Sequence, residues 1–471
     1  MKRNSHSIFS FIGSLLFAGA ALLAGCGGGG GGSDSGGGGT LKSGDKVWSI
    51  QSMPSTTVIN EVRGIAKAGN NVYTVGYDTK PGGNEEWRIE IRTAATGSIV
   101  ATFVSGATTT LGDAKANAIV TDPTSSSIFV VGYDTYVGNL FEWRIEKRDL
   151  TTGLTVSTFG TNGVITSSTG SDAVAYAVAT GPTATYDTTP SLYIAGYSTT
   201  AGGDLEWRIE KRNIVTGLSV TAFGNNGVVT NSLDTPSPGL EAIAYGIAVG
   251  ANALYVAGYD TKDVGVRSWR IEMRDLATGA SITTIRSLPT NSYGCDAEIN
   301  GITVDQNSMY VIGYDFNGDC MSANTNSFNY EWLIEKRNLL TGDLVAGFGN
   351  GVKGPGVAYT AFPYNPITKV VKDAIPYAIS IDATNNNMYV AGYWTYNASF
   401  DEQWRIEKRD LTTGDPVTSF GTSGVVLVPA NLNLFSEAFA ITQDTNYIYT
   451  GGFDELVYNV SETWRTDKRL K

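Results

Sequence analysis

The feature that most constrains this chain is that it repeats itself. A strand-like run opening on tryptophan, in its usual form Trp-Arg-Ile-Glu, begins at Trp87, Trp143, Trp207, Trp269, Trp332, Trp404 and Trp464, at intervals of 56 to 72 residues. Ahead of each lies a Gly-aromatic pair that ends another strand: Gly76-Tyr77, Gly132-Tyr133, Gly196-Tyr197, Gly258-Tyr259, Gly313-Tyr314, Gly392-Tyr393 and Gly452-Phe453. Earlier still comes a run of small residues, as in Ala242–Val249. Six of the seven Trp runs lead into a Thr-Gly turn, whose glycine supplies the positive φ of a hairpin. A fourth strand follows, as in Val417–Phe420, and no segment keeps a helical period. The repeat overrides the three domains that 471 residues would otherwise suggest.

Four antiparallel strands copied seven times predict an all-β fold, a single seven-bladed β-propeller. Small residues suit the crowded axis, and the aromatic strands suit the wider rim. A solenoid of stacked β units is the structural alternative, and the chain ends decide between them. The seventh copy stops at Lys471, before any Thr-Gly turn or fourth strand. Asp45–Met53, containing Val47-Trp48-Ser49-Ile50, is strand-like and precedes the first copy. That N-terminal strand is expected to complete the last blade and close the ring, which removes the open sheet edges.

The N-terminus has a different character. Lys2 and Arg3 precede the apolar run Ile8–Leu23, which at about 16 residues is short for a membrane span and has the flanks of an export signal. Leu23-Ala24-Gly25-Cys26 resembles the bacterial lipobox, which implies cleavage before Cys26 and lipidation of its thiol. Gly27 follows rather than aspartate; by the same resemblance this implies an outer-membrane lipoprotein facing the periplasm or the cell exterior. The expected parts are therefore a signal peptide over 1–25, lipidated Cys26 with a Gly-rich tether over 26–44, and the propeller over 45–471.

Composition removes several function classes. Thirty-three Lys and Arg against 45 Asp and Glu give a net charge of −12, the reverse of a nucleic-acid binder. The only histidine is His6, inside the leader. Histidine-based catalysis and His-ligated zinc or haem then drop out. No cofactor and no metal site is assigned. The expected partners are a membrane, through the anchor, and a glycan or protein ligand for a monomeric body.

Phe-Gly-x-x-Gly appears at Phe159–Gly163, Phe223–Gly227 and Phe420–Gly424, with Phe348-Gly349-Asn350-Gly351 read as a copy one residue shorter. Together with Val-Ala-Gly and the charged third strand, these copies resemble the delta-sixty propeller repeat of bacterial surface proteins, from about Gly64 to the C-terminus. Copies one, four and seven lack the Phe-Gly element. The resemblance implies architecture and a surface location, and it carries no mechanism.

Residues repeated in every copy read as architecture. Arg144 and Glu146, two apart and so on one face, read as a structural ion pair, and the tryptophans read as packing between blades. Function is expected where copies differ, in the loops joining second and third strands and the connections entering each blade. Those loops and their borders carry Tyr136, Phe141, Phe328, Tyr330, Trp394, Tyr396, Phe400 and Tyr458 beside many carboxylates. Aromatics with acids suit sugar rings or a cationic peptide. The competing reading is that these rings only pin the loops.

Asp315–Asp319 alternates oxygen ligands but lacks EF-hand spacing, so an Asx turn is preferred over a calcium site. Asp149–Gly153 resembles part of the docking motif of quinone-cofactor propellers, except that the aromatic after it is Phe159 rather than tryptophan. Cys295 and Cys320, the thiols remaining beside Cys26, are expected to form a disulfide in an oxidising compartment. Three classes stay open: a binding or adhesion module, an envelope scaffold for protein assembly, and a carboxylate-based or quinone-dependent enzyme. The second rests on fold-level analogy with the propeller lipoprotein of the barrel-assembly machinery.

Overall fold

Every copy of the repeat becomes one sheet. The computed structural model describes residues 41–52, 59–80, 83–105, 112–122, 126–181, 190–231, 240–261, 266–287, 296–317, 329–360, 373–395, 401–428, 434–457 and 461–471. Among them, strands form seven four-stranded antiparallel sheets. Blade one runs outward from the axis through Glu61–Ala68, Asn71–Thr79, Glu85–Thr93 and Ile99–Ser105. The inner strands of successive blades touch one another around the ring, the seventh against the first. The fold is a seven-bladed β-propeller.

The ring closes as expected, and the closure extends beyond one strand. Blade seven consists of Ser436–Gln443, Tyr447–Val457, Ser461–Leu470 and the N-terminal strand Lys46–Ser52. Ser49 stands opposite Asp467 and Ser52 opposite Trp464. Ser43-Gly44 also takes the place of the Thr-Gly turn that this copy lacks. Gly421 N–H donates to Ser43 O at 3.0 Å, as Gly160 N–H donates to Thr216 O at 3.0 Å. The Arg469 guanidinium donates to Gly44 O at 3.3 Å, as Arg148 does to Gly153 O at 2.9 Å. Two distant pieces of chain thus rebuild one repeat.

Blade-to-blade contacts explain the repeated residues. The Trp87 indole N–H donates to Tyr133 O of the next blade at 2.9 Å, and Trp464 donates to Tyr77 O at 2.9 Å across the closure. Six of the seven indoles make this bond; Trp332 is the exception. In six blades an arginine follows the tryptophan and lies over the preceding blade's indole, as Arg144 does over Trp87 at 4.7 Å. Its other partner is the strand's glutamate, held between two arginines: Arg144–Glu146–Arg148 and Arg405–Glu407–Arg409 are examples. The structural reading of both motifs holds.

The Gly-aromatic pair has its own cause. Each inner strand carries a β-bulge at one fixed place, for example between Ala244 and Gly246. The bulge presses the neighbouring carbonyl onto the glycine of the second strand, so a Cβ at Gly258 would fall 2.0 Å from Ile243 O. Only glycine fits there.

The Phe-Gly element locks each blade to the next. Phe223 packs edge-on to Tyr193 at 6.1 Å, and a Cβ at Gly279 of the following turn would come within 2.9 Å of its ring. Copies one, four and seven fill the same niche with Phe103, Ile285 and Trp48, beside Gly153, Gly342 and Gly97. The fifth copy corrects the sequence reading. Gly356 N–H, rather than Gly351, donates to Phe348 O at 2.9 Å, as Gly163 does to Phe159 O at 2.8 Å. That copy is longer, because a glycine-rich loop is inserted inside the turn.

Candidate functional site

The inner-strand bulges set the site. A bulge turns one extra side chain out of the alternating pattern. Here it turns Arg63, Asn117, Tyr176, Tyr245, Asn300, Tyr377 and Phe439 toward the axis, one from each blade. All seven are half-buried, while their strand neighbours on both sides are mostly buried. Tyr176 and Tyr245 meet edge-on at 4.9 Å, Tyr377 and Phe439 meet at 4.9 Å, and the Arg63 guanidinium lies 4.2 Å above the Phe439 ring. Asn117 Nδ2 donates to Ala175 O at 2.8 Å, and Asn300 Nδ2 donates to Pro376 O at 2.9 Å. Behind this ring stand second-strand aromatics: Tyr197 at 6.1 Å from Tyr176, and Phe453 stacked 5.7 Å from Phe439.

Carboxyl groups border the ring on the side of the loops between second and third strands. Arg63 pairs with Glu61, and Arg267 pairs with Glu298 at 2.5 Å. Burial works against the Arg63 charge, but Glu61 and its other neighbours hold the guanidinium above its ordinary pKa. Burial pushes Glu402 well above the usual carboxyl range, and the nearby Glu437 adds to the shift. Glu437 is raised by burial too, opposed by hydrogen bonds from Glu402 and Tyr377. The two carboxyl groups are coupled, so each, once ionised, makes the other harder to ionise, as two close carboxylates in a poorly solvated place do. Asp373 is pushed up to about 6 by burial, against a hydrogen bond from Tyr330 N–H. Burial lifts the Tyr176 phenol to about 12. The mouth of the axis thus offers aromatic rings, neutral hydroxyls, two amides, two guanidinium groups and a coupled acid pair.

The residues singled out in the sequence fall into two sets. Tyr136, Phe141, Tyr330 and Trp394 are described and half-buried. Phe141 packs against Tyr133 at 4.6 Å while its N–H donates to Asp172. Tyr330 packs edge-on to Tyr314 at 4.7 Å, its N–H on Asp373. Trp394 has the Arg405 guanidinium 5.8 Å from its ring. For Phe141 and Tyr330 this is the pinning reading. Phe328, Tyr396, Phe400, Tyr458, Cys26, Cys295, Cys320 and Asp319 lie outside the described residues. Asp315 is buried and faces Lys353.

The axial ring was missed from sequence, although a signal exists. In every inner strand one larger residue is followed at once by Gly or Ala: Arg63-Gly64, Asn117-Ala118, Tyr176-Ala177, Tyr245-Gly246, Asn300-Gly301, Tyr377-Ala378 and Phe439-Ala440. The small partner is what lets neighbouring inner strands approach; a Cβ at Gly246 would sit 3.1 Å from Ile302 N of the next blade.

No family model and no curated protein matches this chain. Solved structures align with it at low identity. The structure of U3-55K aligns at 8% identity over 89% of this chain and 98% of that one, with a TM-score of 0.46. The β-propeller domain of the Trilobed protease from Pyrococcus furiosus aligns at 8% identity over 87% and 94%, with a TM-score of 0.43. Drosophila Plexin A, solved in complex with Semaphorin 1b, aligns at 8% identity over 92% and 88%, with a TM-score of 0.44.

Proposed function

We propose that this chain is a binding or adhesion module that takes a glycan or peptide ligand at the axial mouth on its variable-loop face. One observation carries the reading. The third-strand tryptophan is the same in all seven blades, whereas the bulge position next to the axis is Arg, Asn, Tyr, Tyr, Asn, Tyr and Phe. A residue needed only to build a blade would not change while the blade stays the same. Mixed rings and polar groups suit a ligand with both C–H faces and hydroxyl or amide groups. A glycan and peptide array tests this: binding is expected for the wild type and lost in Tyr176→Ala and Tyr377→Ala. Unchanged binding in both variants places the site elsewhere, with Trp394 and Tyr396 the next residues to substitute.

The module is held at the outer membrane by lipidated Cys26 and its glycine-rich tether. Cys26→Ala is expected to leave the membrane fraction, and retention there refutes the anchor. The Cys295–Cys320 disulfide belongs to the same proposal. Glu298 lies opposite Tyr314, so the segments bearing the two cysteines leave adjacent strands at the same end. Two free thiols in the denatured, unreduced protein rule the bridge out.

The Glu402–Glu437 pair does not favour the carboxylate-based enzyme. The two carboxyl groups hydrogen-bond each other, whereas glycoside hydrolysis needs them about 5 Å or more apart so that they flank the scissile bond. Turnover of a bound glycan would support the enzyme all the same; binding without turnover supports the module alone.

A further inference from the structure

Blade five departs from the others at one buried place. In blades one, two, four and seven, a second-strand aspartate meets the arginine that follows the tryptophan: Asp78–Arg88, Asp134–Arg144, Asp260–Arg270 and Asp454–Arg465, at 3.5, 3.4, 3.5 and 2.7 Å. In blade five that arginine is Leu333. Asp315 there stands directly opposite Glu331, and both carboxyl groups are fully buried. Like charges opposed across a ladder repel. The loop inserted between Phe348 and Gly356 brings a cation to this spot from the other side. Lys353 Nζ lies 2.9 Å from a Glu331 oxygen and 3.9 Å from Asp315 Oδ2, itself largely buried. The Tyr359 ring lies 5.0 Å from the ammonium, and its hydroxyl donates to the other Glu331 oxygen.

We propose that Lys353 and Asp315 become joined by an intramolecular isopeptide bond, with Glu331 moving the protons. The ammonium gives a proton to Glu331, its nearest neighbour, and the freed amine attacks Cγ of Asp315. The C–N bond forms as a C–O bond breaks. The departing oxygen takes the proton back from Glu331 and a second from the nitrogen, so one water leaves and a neutral amide remains. The balance is ammonium plus carboxylate to amide plus water, with no oxidant and no cofactor. Holding amine and carboxyl together in a place poor in water supplies the driving proximity, equivalent to roughly 10⁵–10⁸ M in well-oriented cases. Amide formation also removes two charges whose burial is costly. Gly351 and Gly354, both at positive φ, give the loop freedom to carry Nζ the remaining distance. The other blades place a guanidinium here, which stays protonated and is no nucleophile, so the reaction is confined to blade five.

Peptide mapping of the full-length protein, reduced and alkylated, tests the bond. The peptides containing Lys353 and Asp315 are expected as one branched species, lighter by one water than their sum. Lys353→Arg and Glu331→Gln are expected to yield the two linear peptides. Lys353 recovered only in a linear peptide from the wild type overturns the proposal. A branch onto Glu331 overturns the assignment of the acceptor, and a bond that persists in Glu331→Gln overturns the proton relay.

Discussion

Two layers of each blade follow opposite rules. The third-strand layer carries Trp, Arg and Glu in nearly every copy, packed at the junctions between blades. The axial layer differs from blade to blade and is half-open. The difference separates what the ring needs from what it can spare. A closed ring of seven has seven junctions, each filled by a tryptophan, and at six of them the indole N–H bonds the next blade's carbonyl. Nothing in closure requires a tyrosine rather than an asparagine at the bulge.

The largest effect is expected from breaking the ring itself. Deleting residues 1–52 removes the outer strand of blade seven, the substitute turn at Ser43-Gly44, and Trp48, whose indole donates to Ala94 O at 3.2 Å. It also exposes the Ser461–Leu470 edge. The loss is expected to exceed the ~4–5 kcal/mol of the most severe single substitutions, and the exposed edge is expected to drive association. Denaturant unfolding with light scattering measures both. A truncated chain that unfolds at the wild-type midpoint as a monomer would show that the closure is dispensable.

Next come the buried glutamates, where blade five provides an internal control. Glu407→Ala strands two arginines in blade six and is expected to cost about 3–5 kcal/mol. Glu335→Ala in blade five strands only Arg337, which also donates to Gly342 O, and is expected to cost about 1–3 kcal/mol. Equal unfolding midpoints for the two variants would mean that the second arginine contributes nothing.

The same pair should respond to pH with opposite signs. Burial works against the Glu407 charge, but Arg409 and Arg405 outweigh it and hold the group at about 2, below its ordinary 4.5. Its contribution is complete above pH 4.5 and is lost as pH falls toward 2. Asp467, held at about 2 by Arg465 and Arg469 against burial, behaves alike. Glu335 is raised by burial with Arg337 alone opposing. Its burial is therefore a penalty that is absent well below pH 4.5, grows as pH rises from there toward its folded value, and is complete above that value. Glu407→Gln is expected to destabilise at pH 7 and to approach the wild type near pH 2. Glu335→Gln should cost little at pH 7. Unfolding of both variants across pH 2–7 checks the contrast, which fails if their curves run parallel.

Legibility in the sequence follows the same division. The seven tryptophans and the missing final turn suffice for blade number and closure, because each structural need is printed seven times; the fourth strand is misplaced, since Val417–Phe420 lies in the turn and the outer strand of that blade is Val425–Val428. The closing Ser43-Gly44 escaped notice because it is a turn without its own strands until the C-terminus lies beside it. Phe348-Gly349-Asn350-Gly351 misleads because its first glycine after the Phe-Gly pair nearly fits the spacing, whereas the hydrogen bond chooses Gly356. The axial residues were hidden by the bulge. Strict alternation gives Tyr245 no distinction within Ala242–Val249, and one extra residue in the strand re-aims it at the axis.

The smallest effect on stability should come from the axis, and it is the sharpest test of the division. Within blade three, Trp207 is fully buried and its indole N–H bonds Tyr259 O at 3.1 Å. Trp207→Ala is expected to cost about 3–5 kcal/mol. Tyr176 is half-buried and touches Tyr245 and Tyr197 through ring contacts worth about 0.5–1.5 kcal/mol in typical pairs. Tyr176→Ala is therefore expected to cost about 1 kcal/mol and leave the propeller folded. For an array-identified ligand the order reverses. Tyr176→Ala should weaken binding at least about tenfold, roughly 1.4 kcal/mol, by removing a wall of the axial mouth. The folded fraction of Trp207→Ala should bind as the wild type does, since that indole faces the next blade and no part of the mouth. Titration calorimetry on the folded variants reads both numbers. If Trp207→Ala loses affinity as much as Tyr176→Ala, binding depends on the ring as a whole, and the separation of a repeated frame from a variable axial site fails.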